Sequence, residues 1–96
     1  MRAITAQIKE AFENQKPRKI GNTATDGQTV WLHGNAIVRR DSDGTVLATL
    51  AGWNTPTTRE RVNGITGIGF HQLNWEACID SVPVSETEWF PVTLNN

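Results

Sequence analysis

The stretch TVWLHGNAIVRR, residues 29–40, decides the fold of this 96-residue chain. Val30 and Leu32 alternate with more polar neighbours, which is typical of a strand with one face in a core. Gly34-Asn35 then breaks the pattern, and these residues tolerate the positive φ of a tight turn. Apolar residues resume at Ala36, so the stretch predicts two antiparallel strands joined by a short turn.

Similar patterns extend this hairpin in both directions along the chain. Lys19–Thr25 predicts a strand that ends at Asp26-Gly27, a frequent hairpin turn. On the other side, the turn at 41–44 leads to a strand over Thr45–Leu50, in which the apolar residues again alternate. The result is an antiparallel meander with one buried face.

The C-terminal third predicts a further hairpin and a closing strand. Residues 67–72 and 75–80 form the hairpin, which turns near Leu73-Asn74. Residues 89–93 would close the sheet as an edge strand, because Pro91 lacks the N–H that a central strand needs.

Two helices are expected beside these strands. Ala3–Asn14 carries an apolar stripe at helical spacing and should end before Pro17. A short second helix should begin near Thr57, whose hydroxyl would form a capping box with Glu60. Asn63-Gly64 would end that helix. The fold class is therefore α+β, a single domain over residues 1–96 with an antiparallel sheet of five to six strands. The N-terminal helix packs on one face, and the short helix lies in a connection.

Composition indicates the cellular compartment of the protein. No apolar run approaches the roughly 18 residues that a membrane span needs. The N-terminal segment lacks the apolar core of a signal peptide, and the one cysteine, Cys78, cannot form an internal disulfide. We therefore expect a cytoplasmic protein without a membrane partner.

Charge is distributed unevenly along the chain, although the net charge is −1. Residues 1–61 hold all nine Lys/Arg and six acids, a net charge of +3, whereas residues 62–96 hold four acids and no Lys or Arg, a net charge of −4. Folding either preserves this asymmetry as a basic and an acidic side or interleaves the two halves and cancels it.

Two blocks of sequence resemble a family of small, mostly unnamed bacteriophage proteins. They are WLHGNAI at 31–37 and LAGWNTPTTRERVNGI at 50–65, and FHQ with Trp75 is similar to that family's closing hairpin. The similarity weakens at Ala77-Cys78-Ile79. The resemblance implies a phage origin and a compact fold, and for a phage-encoded protein the expected cytoplasm is that of the host cell. The family has no established activity to transfer.

Groups suited to catalysis or metal binding are few. His33, His71 and Cys78 lie in separate predicted elements, without the spacing of a metal site. A Cys–His nucleophile is possible in principle, but cysteine is often an inert core residue. Gly64-x-x-Gly67-x-Gly69 lacks the lysine of a phosphate loop. We expect neither an enzyme nor a bound cofactor or metal.

The candidate binding residues are basic and aromatic. Strand alternation places Trp31 opposite Val30 and Leu32, on a face that is either open or covered by a helix. An exposed Trp beside Arg is typical of an interaction hot spot. Trp53 is expected to anchor the short helix, and Trp75 to pair with Trp89. The partner-binding candidates are Trp31, Arg39, Arg40, Arg59 and Arg61.

These features favour a non-enzymatic protein that binds a host or phage protein, and inhibition of a host process or defence system would be a natural use. The alternative is a nucleic-acid-binding accessory protein. It would use the same four arginines together with Lys16, Arg18 and Lys19. The sequence does not indicate the oligomeric state.

Overall fold

Two helices pack on one face of a six-stranded antiparallel sheet in the computed structural model, which describes residues 1–92. Thr93, the last residue of the predicted closing strand, lies outside this range. The helices are Ala3–Glu13 (α1) and Pro56–Thr66 (α2). The strands are Arg18–Ile20 (β1), Thr23–Thr25 (β2), Thr29–Leu32 (β3), Asn35–Arg40 (β4), Val46–Ala48 (β5), Phe70–Leu73 (β6), Glu76–Ile79 (β7), Val82–Pro83 (β8) and Phe90–Pro91 (β9).

The predicted meander is confirmed. The large sheet has the order β1-β2-β3-β4-β5-β9, so the first five strands are neighbours in chain order. Val30 and Leu32 are buried and alternate with half-buried Trp31. A register shift between Val30 and Trp31 lets both Ile37 and Val38 of the partner strand reach the core, as a β-bulge does.

The N-terminal part of the meander differs from the prediction. Residues 19–25 were expected to form one strand, but Gly21-Asn22 divides them into β1 and β2, with Ile20 opposite Thr23. Gly21 has a φ of 57°, which glycine adopts without steric cost.

The predicted C-terminal hairpin forms as β6 and β7, but it belongs to a separate three-stranded sheet with β8. Asn74 and Trp75 form its turn, and both have positive φ. The closing strand β9 pairs with β5 at the edge of the large sheet, where Pro91 is tolerated as predicted.

Helix α1 confirms its predicted apolar stripe. Ile8, Ala11 and Phe12 are buried against the sheet. The chain leaves the helix at Asn14, before Pro17.

Helix α2 begins earlier than predicted. Thr55, not Thr57, is the N-cap, because its hydroxyl oxygen accepts the N–H of Thr58 at 3.2 Å. Pro56 occupies the first helical position, where its fixed φ suits a helix and its missing N–H costs nothing. The predicted capping box is therefore wrong, and Glu60 bonds elsewhere.

Helix α2 also ends later than Asn63-Gly64. Its C-cap is Gly67, in the left-handed conformation with a φ of 78°. Gly64 lies inside the helix and faces α1, where a β-carbon would stand 2.4 Å from Cγ2 of Thr5. This glycine permits close helix packing and does not stop the helix.

A buried polar cluster joins the two helices to the sheet. The Arg61 guanidinium donates to Oγ1 of Thr23 at 3.0 Å, to Oγ1 of Thr5 at 3.2 Å and to Oε1 of Glu60 at 2.6 Å. The Thr5 hydroxyl also donates to the Glu60 carboxylate. The buried cation therefore has both a counter-charge and hydrogen-bond acceptors, as a charge in a core requires.

Both helices are too short and too polar to cross a bilayer, so the described residues contain no candidate membrane span.

Candidate interaction surface

Within residues 1–92, one face of the sheet carries no helix. Helix α1 contacts β1, β2 and β3, and α2 contacts β4 and β5, in both cases on the core side. Strand alternation directs the intervening side chains to the opposite side. We call this the open face, and it presents Lys19, Ala24, Thr29, Trp31, Ala36, Arg39, Leu47 and Trp89.

Trp31 occupies the middle of the open face. It pairs with Ala24 on one neighbouring strand and with Ala36 on the other. Because both neighbours end at a methyl group, the indole ring stands above them and keeps a solvent-facing surface. The sequence allowed Trp31 to lie either on an open face or under a helix, and in the structure it lies on an open face.

A shallow hollow of about 410 Å³ lies beside Trp31, at the end of the sheet where two hairpins turn. Gly21 and Gly34 contribute no side chains to its wall, so part of the ring stays uncovered. The hollow is lined by Lys19, Gly21, Asn22, Ala24, Trp31, His33 and Gly34.

Arg39 lies on the same face, diagonal to Trp31. Its guanidinium carbon is 4.5 Å from the centre of the Trp89 ring, within the range of a cation–π contact. Its Nε atom is 3.3 Å from Oδ1 of Asp41, although the pair is not aligned as a hydrogen bond. The open face therefore combines two indole rings with a cation held in place by one of them.

The other three arginines proposed as binding residues are engaged within the fold. Arg40 points to the core side, stacks on Phe12 at 4.2 Å and donates to the Phe12 carbonyl oxygen at 3.1 Å. Arg59 donates to Asn54 and to Gln72. Arg61 is 2% exposed. The structure thus brings Trp31 and Arg39 together and separates them from the remaining three.

The groups suited to catalysis are not assembled into a site among residues 1–92. Cys78 and His71 are opposite each other in the β6–β7 ladder. However, the Cys78 thiol is directed to the Glu76 carbonyl oxygen at 3.6 Å, and His71 Nδ1 lies 3.2 Å from the Gly69 carbonyl oxygen. Within this range no three His, Cys, Asp or Glu side chains are grouped to hold a metal ion.

The sequence did not lead us to expect that Trp75 and Trp53 are the two most exposed tryptophans. Trp75 is 88% exposed at the tip of the β6–β7 hairpin, and it does not pair with Trp89. Trp53 is 57% exposed and borders a second, apolar hollow of about 140 Å³. The available signal was the two-residue turn Asn74-Trp75 between strand patterns, since a side chain at such a turn projects from the sheet.

Charge is only partly segregated in the folded protein. Because the first five strands keep their chain order, Lys16, Arg18 and Lys19 lie at the β1 end of the sheet. However, Glu10 lines the same hollow as Lys16 and Arg18. Glu86 and Glu88 precede β9 at the other end, where Arg39 stacks on the Trp89 ring. Folding therefore brings charges of both signs to each end of the sheet.

Two carboxylates have defined structural roles in the turns of the meander. The backbone N–H groups of Gln28 and Thr29 hold the pKa of Asp26 below its ordinary value, and the N–H of Thr45 has the same effect on the pKa of Asp43. Both carboxylates stabilise hairpin turns by accepting these bonds.

Comparison with known proteins places the chain in a family. No curated protein and no solved structure matches it. The profile of the Kyanoviridae Gp96 protein family matches residues 1–95, nearly the whole chain, in agreement with the phage resemblance seen in the sequence. The chain is therefore a member of the Kyanoviridae Gp96 family of phage proteins.

Proposed function

We propose that this phage protein acts without catalysis, by binding a host or phage protein through the open face of its sheet. Inhibition of a host process, such as a defence system in the host cytoplasm, is the use that we assign to this binding. The observation that carries the proposal is the position of Trp31, which stands above Ala24 and Ala36 on a sheet face without a helix.

The composition of the open face supports a protein partner. Trp and Arg are the residues most enriched at interface hot spots, and they contribute most where neighbouring contacts exclude water. Trp31, Arg39 and Trp89 are surrounded by small or apolar residues such as Ala36 and Leu47. A protein that covers this face would therefore bury two indole rings. It would also desolvate the Arg39 guanidinium, which already contacts the Trp89 ring.

Nucleic acid is the second candidate, and one observation favours it. Lys19 lies on the same face as Trp31, so a base stacked on the indole would place a phosphate near the ammonium group. Against this, Arg39 is close to Asp41, and Arg40, Arg59 and Arg61 are bonded inside the fold. A strand of phosphates needs a row of cations, which this face does not supply.

A capture experiment with matched variants tests the proposal. Tagged wild-type protein is incubated with host lysate, with and without nuclease, beside Trp31→Ala and Trp53→Ala. The second variant is the control, because it removes a Trp from the other side of the sheet. We expect a protein captured in the presence of nuclease, and an affinity for it that falls by about 2 kcal/mol or more in Trp31→Ala only.

Two results would overturn the proposal. The first is capture that Trp31→Ala leaves unchanged while Trp53→Ala abolishes it. The second is capture that disappears with nuclease, together with binding to DNA or RNA that weakens steeply as salt rises. That second result would establish the nucleic-acid alternative.

A further inference from the structure

Trp75 combines exposure with an unfavourable backbone conformation. It is 88% exposed and has a φ of 67°, in the left-handed region that favours glycine. A two-residue hairpin turn with positive φ at both positions is normally Asn-Gly, whereas here it is Asn74-Trp75. A large indole at a glycine position weakens the turn and exposes apolar surface, so local folding does not account for it.

The hollow bordered by Trp53 has the volume to receive the six-membered ring of an indole. Its volume is about 140 Å³. That is close to the engineered apolar cavity of about 150 Å³ that is known to take up benzene. Its apolar walls come from Leu32, Ile37 and Trp53, and its rim from His33, Asn35 and Thr58.

One arginine connects the border of the hollow to the hairpin that carries Trp75. Nη1 of Arg59 donates to Oδ1 of Asn54, the residue after Trp53. The same nitrogen donates to Oε1 of Gln72, on the strand that leads to Trp75. A two-fold axis passing near Arg59 would therefore bring the Trp75 of each copy to the hollow of the other, and such an isologous contact is closed.

We propose that the protein forms a symmetric dimer in which Trp75 of each copy occupies the hollow bordered by Trp53 in the other. This surface lies on the other side of the sheet from the open face and shares only His33 with the hollow beside Trp31, so the dimer does not depend on the proposed function. Both open faces stay available to a partner.

Charge complementarity supports a second copy as the occupant. Glu76 beside Trp75 is exposed, and residues 62–96 contain no Lys or Arg. No carboxylate lines the hollow, which instead has His33 on its rim and Arg59 nearby. The acidic hairpin of one copy therefore approaches a surface of the other that lacks like charge.

The exposed area is also sufficient for a weak dimer. At 88% and 57% exposure, Trp75 and Trp53 together offer roughly 350 Å² in each copy, if a Trp side chain presents about 250 Å². Two copies therefore contribute about 700 Å² from these residues alone, against the ~1,200–2,000 Å² of a stable interface. Leu73, which is half exposed beside the turn, adds to this area.

The test is the mass in solution of the full chain and of its variants, measured by light scattering over about 1 to 200 µM, where a small interface dissociates. We expect wild type to shift from 10.6 kDa towards twice that mass as its concentration rises. Trp75→Gly and Asn35→Phe should remain monomeric, since the first removes the inserted ring and the second fills the hollow. Trp31→Ala is the matched control and should dimerise like wild type.

Thermal melts distinguish loss of the dimer from loss of the fold. Glycine suits the backbone at position 75, so dilute Trp75→Gly should melt at a higher temperature than dilute wild type. Loss of the dimer in that variant therefore cannot come from unfolding. A wild type that stays at 10.6 kDa throughout, or a dimer that persists in both Trp75→Gly and Asn35→Phe, would overturn the proposal.

Discussion

Gly64 and Thr5 hold α2 and α1 so close together that a β-carbon on Gly64 would stand 2.4 Å from Cγ2 of Thr5. In an ordinary helix, Gly→Ala gains about 1 kcal/mol. We expect Gly64→Ala to cost about 1–3 kcal/mol instead, because the added methyl group overpacks the contact. Urea denaturation measures the change.

A second substitution separates steric crowding from any other effect at Gly64. Thr5→Ser removes Cγ2 and keeps the hydroxyl that bonds to Glu60 and Arg61. Adding Thr5→Ser to Gly64→Ala should recover most of the lost stability. A double variant that is no more stable than Gly64→Ala would contradict the steric explanation.

The buried guanidinium of Arg61 is expected to be the most sensitive polar group of the fold. Arg61→Ala leaves Thr23 and Thr5 without their donor and leaves the Glu60 carboxylate without its cation. Removing one partner of a buried pair costs about 3–5 kcal/mol, and the partial exposure of Glu60 favours the lower end. Arg59→Ala is the control, since its half-buried side chain should cost about 1 kcal/mol. Equal losses in the two variants would be evidence against this assignment.

The start of α2 can be checked with two threonines. Thr55→Ala removes the oxygen that accepts the Thr58 N–H and should cost about 0.5–2 kcal/mol. Thr57→Ala should change stability by less than about 0.5 kcal/mol, because that side chain caps nothing. Chemical denaturation of the pair decides between the two N-caps, and the reverse order would restore the capping box expected from the sequence.

The stability of the turn between β2 and β3 should depend on pH through the carboxylate of Asp26. Its pKa is lowered by the N–H groups of Gln28 and Thr29, so its stabilising effect is present above the unfolded pKa of about 3.9. The effect is lost as the pH falls through the lower pKa of the folded protein. The stability difference between wild type and Asp26→Asn should therefore shrink from pH 6 towards pH 2. A constant difference would show that the carboxylate charge is unimportant.

Cys78 is expected to be a packing residue. Its side chain is 1% exposed, so a thiol reagent should label the native protein far more slowly than the unfolded protein. Cys78→Ala should lower stability without changing partner binding. Rapid labelling of the native protein accompanied by loss of binding would show a functional thiol.

The sequence predicts the meander well because its signals are local. Alternation around Val30 and the glycine-containing turns depend on residues that are close along the chain, and they determine which side of the sheet holds Trp31. Strand alternation likewise puts the adjacent residues Arg39 and Arg40 on opposite faces, as the structure has them.

The remaining features depend on distant contacts. Arg61 was expected at the surface because a short polar helix has no periodic signal for a buried cation, whereas its acceptors Thr5 and Thr23 lie far away in sequence. Gly64 was interpreted as a helix stop for the same reason, since its role depends on Thr5. The expected pairing of Trp75 with Trp89 was wrong because the hairpin of Trp75 lies outside the large sheet, which holds β9.

The order of the strands also determines which part of the chain is at risk of aggregation during synthesis. Each strand from β2 to β5 pairs with the strand translated just before it, so this part of the sheet needs no later segment to pair. The outer edge of β5 is the exception, since Ala48 must wait for Phe90 to be translated. Until then an apolar strand offers unpaired backbone groups to other chains. Although β9 is short, it covers that edge. Truncated chains that lack β9 should therefore be the most prone to aggregate.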